Sequence, residues 1–275
     1  MSRSFVHSPA ASQTAPRLAL GLGLTYMSLL VLMPIAGLLL RSFQLPPGEY
    51  LRVLRAPETM AAFRLSFGHA FLAALFNTVT GVPVAWVLAR YTFPDKRLLD
   101  VWIDLPFALP TAVAGIALCA LYGPHGFLGG PLAKLGLKVA YTHWGVFIAM
   151  CFVSVPFVIR TVQPALLNLD PSQEEAAACL GASRLYCLRR VILPELLPSI
   201  LTGFSMAFAR DIGEYGSIIF IAGNIPGETE ILPLRIVHAL ECYDFAGASV
   251  LAIAMMAASF LLLLLINLLQ KRQSA

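Results

Sequence analysis

The sequence predicts an all-α membrane protein with six transmembrane helices and a polar cytoplasmic loop between the fourth and fifth. Three observations carry this. Of 275 residues, 58% are hydrophobic and 12% charged, against about 25% charged in an ordinary soluble domain. Two runs, 18–40 and 246–269, are apolar and free of charge, and each exceeds the roughly 18 residues that mark a membrane-span candidate. Between two other apolar segments lies Glu174-Glu175-Ala176-Ala177-Ala178-Cys179-Leu180-Gly181, too polar to enter a bilayer.

Residues 1–17 read as a cytoplasmic tail rich in Ser and Ala. The run at 18–40 is too long for a signal-peptide core, and Arg41-Ser42-Phe43 follows it where a small-residue cleavage site belongs, so it is expected to remain as the first span. The second, at 68–89, is interrupted by Asn77, Thr78, Thr80 and Pro83; the third, at 103–122, carries Pro106 and Pro110. The fourth, at 141–160, has Pro156 near its end, and the fifth, at 196–222, contains Arg210, Asp211 and Glu214. The sixth is 246–269, and 270–275 form a second tail. All are expected to be helical, because lipid offers no partner to open backbone groups. One membrane domain over 18–269 is the simplest partition.

Basic loop residues set orientation. With the N-terminus inside, eleven fall on the cytoplasmic side: Arg3, Arg17, Arg90, Lys96, Arg97, Arg160, Arg184, Arg189, Arg190, Lys271 and Arg272. Seven fall outside: Arg41, Arg52, Arg55, Arg64, Lys134, Lys138 and Arg235. Both termini and the Glu175 loop are therefore expected in the cytoplasm. Trp86, Trp102 and Trp144 lie near span ends and read as interface anchors. The net charge of +4 is scattered among loops and forms no stripe, which argues against a nucleic-acid partner. The five cysteines show no metal or redox spacing. His7, His69, His125, His143 and His238 are isolated, and no His-Glu-x-x-His or Gly-x-Ser-x-Gly occurs. Nothing supports a catalytic constellation, a metal site or a cofactor held by this chain.

The polar loop carries its own helix signals. Asp170-Pro171-Ser172 supplies a cap and a first-turn proline, and Ser172 with Glu175 fits a capping box. Gly181 suits the left-handed turn that ends a helix. A second short helix is expected from Ser183 to Val191, stopped by Pro194. Cys179, Leu180 and Leu185 then lie near the bend, flanked by Arg184, Arg189 and Arg190. Capping signals alone suit an ordinary surface helix equally well.

The spacing is more specific. Glu175-Ala176-Ala177, Gly181 after three residues, then Val191-x-Leu193-Pro194 after nine, resembles the EAA loop of ABC importer permeases. Val191 stands where that pattern most often has Ile. The resemblance implies that Glu174, Glu175, Ala176, Ala177, Leu180, Gly181, Arg184, Leu193 and Pro194 form coupling helices that insert into a cleft of an ATP-binding subunit. Asp104 to Gly115, Val155 to Pro164 and Gly213 to Asn224 are similar to sulfate/thiosulfate permeases of the T type. Molybdate permeases are the nearest cousins, and Asn224 to Thr229 suits them equally.

What this likeness implies is a non-catalytic permease subunit in the inner membrane, working by alternating access. Its implied partners are a second similar permease, two ATP-binding subunits that carry ATP and magnesium, and a periplasmic sulfate/thiosulfate-binding protein. The chain has no Gly-x-x-x-x-Gly-Lys-Ser/Thr loop of its own.

The charged interruption of the fifth span has two readings. Charged residues within a span usually face protein or water, so Arg210, Glu214, Tyr215 and Ser217, with Thr111 after Pro110, are candidates for an anion path or gate. A guanidinium fork suits a tetrahedral oxyanion. Alternatively, Arg210 and Glu214, at i and i+4, form a pair that locks helices. Asp211 replaces the small apolar residue usual in the family. It is expected to face another subunit or to pair with Arg210. A stand-alone secondary transporter with Asp211 or Glu214 as its ion site is the rival from another class, and a membrane-embedded enzyme is disfavoured by the missing catalytic groups.

Overall fold

The computed structural model describes residues 11–43 and 46–273. Among them the chain is helical with no strands. Five helices are long and apolar enough to cross a membrane, and a bent pair makes six. The first crossing runs through α1 (Ala11–Met27), a π-turn at Ser28–Leu32 and α2 (Met33–Ser42). A short α3 (Pro47–Arg55) leads into α4 (Pro57–Arg90). After α5 (Lys96–Ala108), α6 (Thr111–Tyr122) and the short α7 (Gly129–Lys134) comes α8 (His143–Leu167). The polar loop forms α9 (Pro171–Cys179) and α10 (Arg184–Cys187), followed by α11 (Leu193–Ile212). The chain closes with α12 (Ile218–Ala222), α13 (Leu232–Glu241) and α14 (Phe245–Gln273).

The core is the packing of α4, α8 and α11 on one another. Hydrophobic burial gives little drive between helices in lipid, so close approach of small residues carries the packing. Ala70, Ala73, Ala74 and Ala85 of α4 are fully buried. A Cβ on Gly81 would come 3.2 Å from Val158 Cγ1, and one on Gly203 3.1 Å from Val158 Cα. The tightest part of the core thus turns around one residue of α8. The opposite extreme is the first crossing, where residues 18–34 are all exposed. Its leucines are placed for lipid or for another subunit, and α14 packs beside α2.

Three elements depart from the expected spans, each for a local reason. The third is two helices meeting at a 112° bend. Pro110 has no N–H and holds Leu109 extended, at φ −84° and ψ 132°. The fifth ends as a regular helix at Ile212, and residues 213–217 form a break before α12. At its other end the fifth does not begin at 196 but runs unbroken from Arg184. The second span starts at Pro57, well before 68, because Glu58 and Thr59 are bound to Arg235. Helix begins at Ala11 and runs to Gln273, while the apolar spans within it are Leu18–Ser42 and Phe245–Leu268; residues 1–10, 44–45 and 274–275 lie outside the described residues.

Candidate functional site

The polar loop is built from backbone chemistry. Asp170 is the cap of α9: its Oδ1 accepts from the Ser172 amide at 2.9 Å, with Pro171 in the first turn. Ser172 is therefore inside the helix, and the expected Ser172–Glu175 capping box does not form. The amide already held by Asp170 belongs to Ser172 itself. The hydrogen bond to this amide holds the Asp170 carboxyl below its usual value. Gly181 sits at φ +81°. Its amide donates to Ala178 O at 2.9 Å and the Ala182 amide to Ala177 O at 3.0 Å, closing the helix with the paired bonds of a left-handed C-terminus.

Ser183 then caps α10 by accepting from the Tyr186 amide at 3.3 Å. The expected stop at Pro194 is not there. A π-turn at Leu188–Ile192 carries the helix forward, with the Leu193 amide donating back to Leu188 O. Pro194 directly follows the π-turn at the start of α11, and the helix continues through it. The loop is thereby welded to α11 as one helical segment of 29 residues, Arg184–Ile212.

The loop has a bound side and an open side. Glu174 pairs with Arg90 at the end of α4, and the Arg90 guanidinium lies 5.3 Å from the Trp86 ring centre. No residue of α9 is buried. Leu180 is 89% exposed and Leu185 56%. Glu175, Ala176 and Cys179 are exposed and Ala177 half-buried. Arg184 and Glu175 form no ion pair among the described residues. A nine-residue helix thus stands with an exposed leucine at its bend and its base fixed by the Glu174–Arg90 pair.

At the far end of α11 the charged residues separate into two knots. Arg210 Nη1 lies 2.6 Å from Glu214 Oε2. Glu214 is 1% exposed, and its Oε1 accepts from both the amide and the hydroxyl of Ser217 at 2.8 Å. Glu214 thus caps the break that follows α11. Arg210 keeps about a third of its side-chain surface open. Of the five N–H donors a guanidinium carries, no others have a partner among the described residues.

Asp211 corrects the sequence expectation. It neither faces outward nor pairs with Arg210. It is fully buried and lies on a different side of the helix, as adjacent helical residues must. Ser154 Oγ lies 2.8 Å from its Oδ2, and Asn77 Nδ2 donates to Ser154 Oγ at 2.8 Å and to Cys151 O at 2.9 Å. The result is a polar tie across α11, α8 and α4.

Thr111 is brought to the same place as the Glu214 knot. A Cβ on Gly216 would stand 2.1 Å from Thr111 Oγ1, and one on Gly115 would stand 2.4 Å from Ser217 O. The break between α5 and α6 and the break between α11 and α12 therefore press together. Thr111, Glu214 and Ser217 share one locus with Arg210 at its edge, while Tyr215 is half-buried against the core.

Two ion-pair nodes escaped the sequence reading. Arg160 of α8 grips α5: Nε and Nη2 donate to the two Asp104 oxygens at 2.7 and 2.8 Å, and Nη1 to Asp100 Oδ1 at 3.0 Å. Two acids four apart in an apolar stretch were the available signal. Arg235 of α13 donates to Glu230 Oε2 at 2.9 Å and to Thr59 Oγ1 at 3.0 Å. No local spacing announces a contact between residues so distant in sequence.

A bundle with an exposed two-helix loop at one end and facing helix breaks within it is the membrane subunit of a transporter. Residues 81–275 match the family described as the inner membrane component of binding-protein-dependent transport systems, and the chain belongs to that family. It is 47% identical over 255 residues to the sulfate transport system permease protein CysT of Salmonella typhimurium, covering 93% of this chain and 92% of the relative. The corresponding Escherichia coli protein is 46% identical with the same coverage. The CysT protein of Synechococcus elongatus is 47% identical over 90% of each chain. Among solved structures, a bacterial ABC transporter that imports the acidic polysaccharide alginate has a chain similar in fold. The TM-score is 0.78 at 16% identity, over 94% of this chain and 95% of that one. The same transporter bound to a periplasmic protein carrying an alginate pentasaccharide matches equally, covering 94% of each chain.

Proposed function

We propose that this chain is the T-type permease subunit of an ATP-driven importer of sulfate or thiosulfate in the inner membrane. The names of its close relatives favour sulfate over molybdate. In this reading it works beside a second similar permease, two ATP-binding subunits and a periplasmic sulfate/thiosulfate-binding protein. ATP and magnesium sit on the ATP-binding subunits, and both termini of this chain lie in the cytoplasm.

The observation that carries the reading is mechanical. The open surface at α9 and α10 continues without a break into α11, which ends at the Arg210–Glu214 knot. Closure of the ATP-binding subunits on Glu175, Ala176, Ala177, Leu180 and Gly181 displaces the loop. The π-turn and α11 carry that displacement to the knot, and the packed breaks at Thr111 and Gly216 separate or close. Arg210, with donors to spare, meets the anion by charge and by its planar fork. Glu214 and Ser217 hold that guanidinium in place, and the remaining spans keep the path sealed from lipid. Hydrolysis and release reset the opposite state.

A cysteine at Ala177, beside the native Cys179, tests the coupling role. In membranes containing the whole transporter, a short bifunctional thiol reagent is expected to join the Ala177→Cys chain to an ATP-binding subunit that carries its own cleft cysteine. ATP is expected to change the yield. Absence of any such adduct, with both cysteines demonstrably reactive, would remove the loop from the interface.

A further inference from the structure

We propose that the groove between the end of α4 and the π-turn binds an anionic phospholipid, with its acyl chain along Val82, Val87 and Leu193 and its phosphate on Arg189. The groove encloses about 890 Å³ and is walled by apolar and aromatic side chains, with Arg189 as its single charged lining residue. It lies between Pro83, inside the continuous α4, and the π-turn Leu188–Ile192, where the facing helix leaves regular α geometry. Val87 and Leu193 are 40% and 42% exposed within it, so water would be a poor filling. Its depth is fixed by Trp86 and Tyr91, which line it where α4 ends at Arg90. Aromatic side chains of this kind mark the headgroup level of a bilayer.

Charge decides which lipid. Arg189 is exposed and makes no hydrogen bond or ion pair among the described residues. Arg90, Arg160 and Arg235, by contrast, are paired with carboxylates. No acidic residue lines the groove, so a phosphodiester there meets one uncompensated guanidinium and no repulsion. Basic pockets between membrane helices take acidic headgroups on these grounds. The apolar lining reaches back along α4 as far as Val82, inside the candidate span Pro57–Arg90, which suits a lipid tail better than a soluble protein. The inference does not depend on which anion is transported.

The test uses the full chain, purified in detergent, stripped of lipid and titrated by native mass spectrometry. The probes are phosphatidylglycerol and phosphatidylcholine with identical tails. Phosphatidylglycerol is expected to bind about fivefold more tightly, the worth of one basic residue near a charged headgroup. Arg189→Gln should erase the preference and leave phosphatidylcholine unchanged. Arg190→Gln, next to the groove but not in its lining, should keep it. Val87→Trp should lower retention of both lipids. Because a bulky variant can fail to fold, a phosphatidylglycerol with a photoreactive tail gives a second measurement on the unaltered chain: adducts are expected within 82–93 and 185–193. Equal binding of the two lipids, an unchanged Arg189→Gln chain, or equal losses from Arg189→Gln and Arg190→Gln would overturn the proposal. Adducts elsewhere, or tail sites blocked by a second protein chain, would do so as well.

Discussion

Glu214 accepts from Arg210 and twice from Ser217 while being almost wholly buried. Removing one member of such a pair strands the other, at about 3–5 kcal/mol. Arg210→Ala alone is therefore expected to lower both membrane abundance and sulfate uptake. The double variant Arg210→Ala with Glu214→Gln separates the two. Gln still accepts from Ser217 and leaves no stranded charge, so abundance on a membrane immunoblot should recover. Uptake of labelled sulfate should remain low, because the anion-facing guanidinium is gone. Recovery of uptake in the double variant would make the pair a structural lock and nothing more. The i and i+4 spacing made this pair legible in the sequence. The surroundings of Asp211 were not, because its partner Ser154, and Asn77 behind Ser154, lie on other helices and nothing nearby in the chain foretells them.

At the scale of elements, the polar loop was legible because caps and glycine turns are local. Pro171, Gly181 and Ser183 act where the sequence places them. What failed was the reading of Pro194, since a π-turn absorbs it and makes the loop the beginning of α11. Prolines act differently in the third and fourth spans: Pro110 breaks the helix while Pro156 sits inside an unbroken α8. Whether a proline bends or breaks a helix depends on what packs against the freed groups, and one chain's sequence does not contain that information.

The cap itself gives a pH prediction. The Asp170 carboxyl is held below its usual value by the Ser172 amide. Its contribution is therefore complete above the unfolded value, about 3.9, and disappears as pH falls through the lower folded value. Amide exchange in 171–175, corrected for intrinsic rates, should be constant from neutral to mildly acid pH and rise only below that point. Asp170→Ala should show the raised exchange at every pH. Asp170→Asn, which still caps, should stay protected throughout.

For the molecule as a whole, composition and two uncharged runs were enough to reveal a bundle of spans. The long helices α4, α8 and α14 lie where apolar stretches put them. The helices of the second and fifth spans reach further than the apolar stretches, the second back to Pro57, where Glu58 meets the distant Arg235, and the fifth back to Arg184 through the π-turn. In the proposed function this chain is one moving half of an ATP-driven path, and the whole assembly is where that is tested. Labelled sulfate uptake into liposomes is the most direct measurement. With the second permease, the ATP-binding subunits, the binding protein and ATP present, uptake is expected and should stop when ATP is withheld. Liposomes holding this chain alone should take up nothing, and ATP-independent uptake by them would contradict the account.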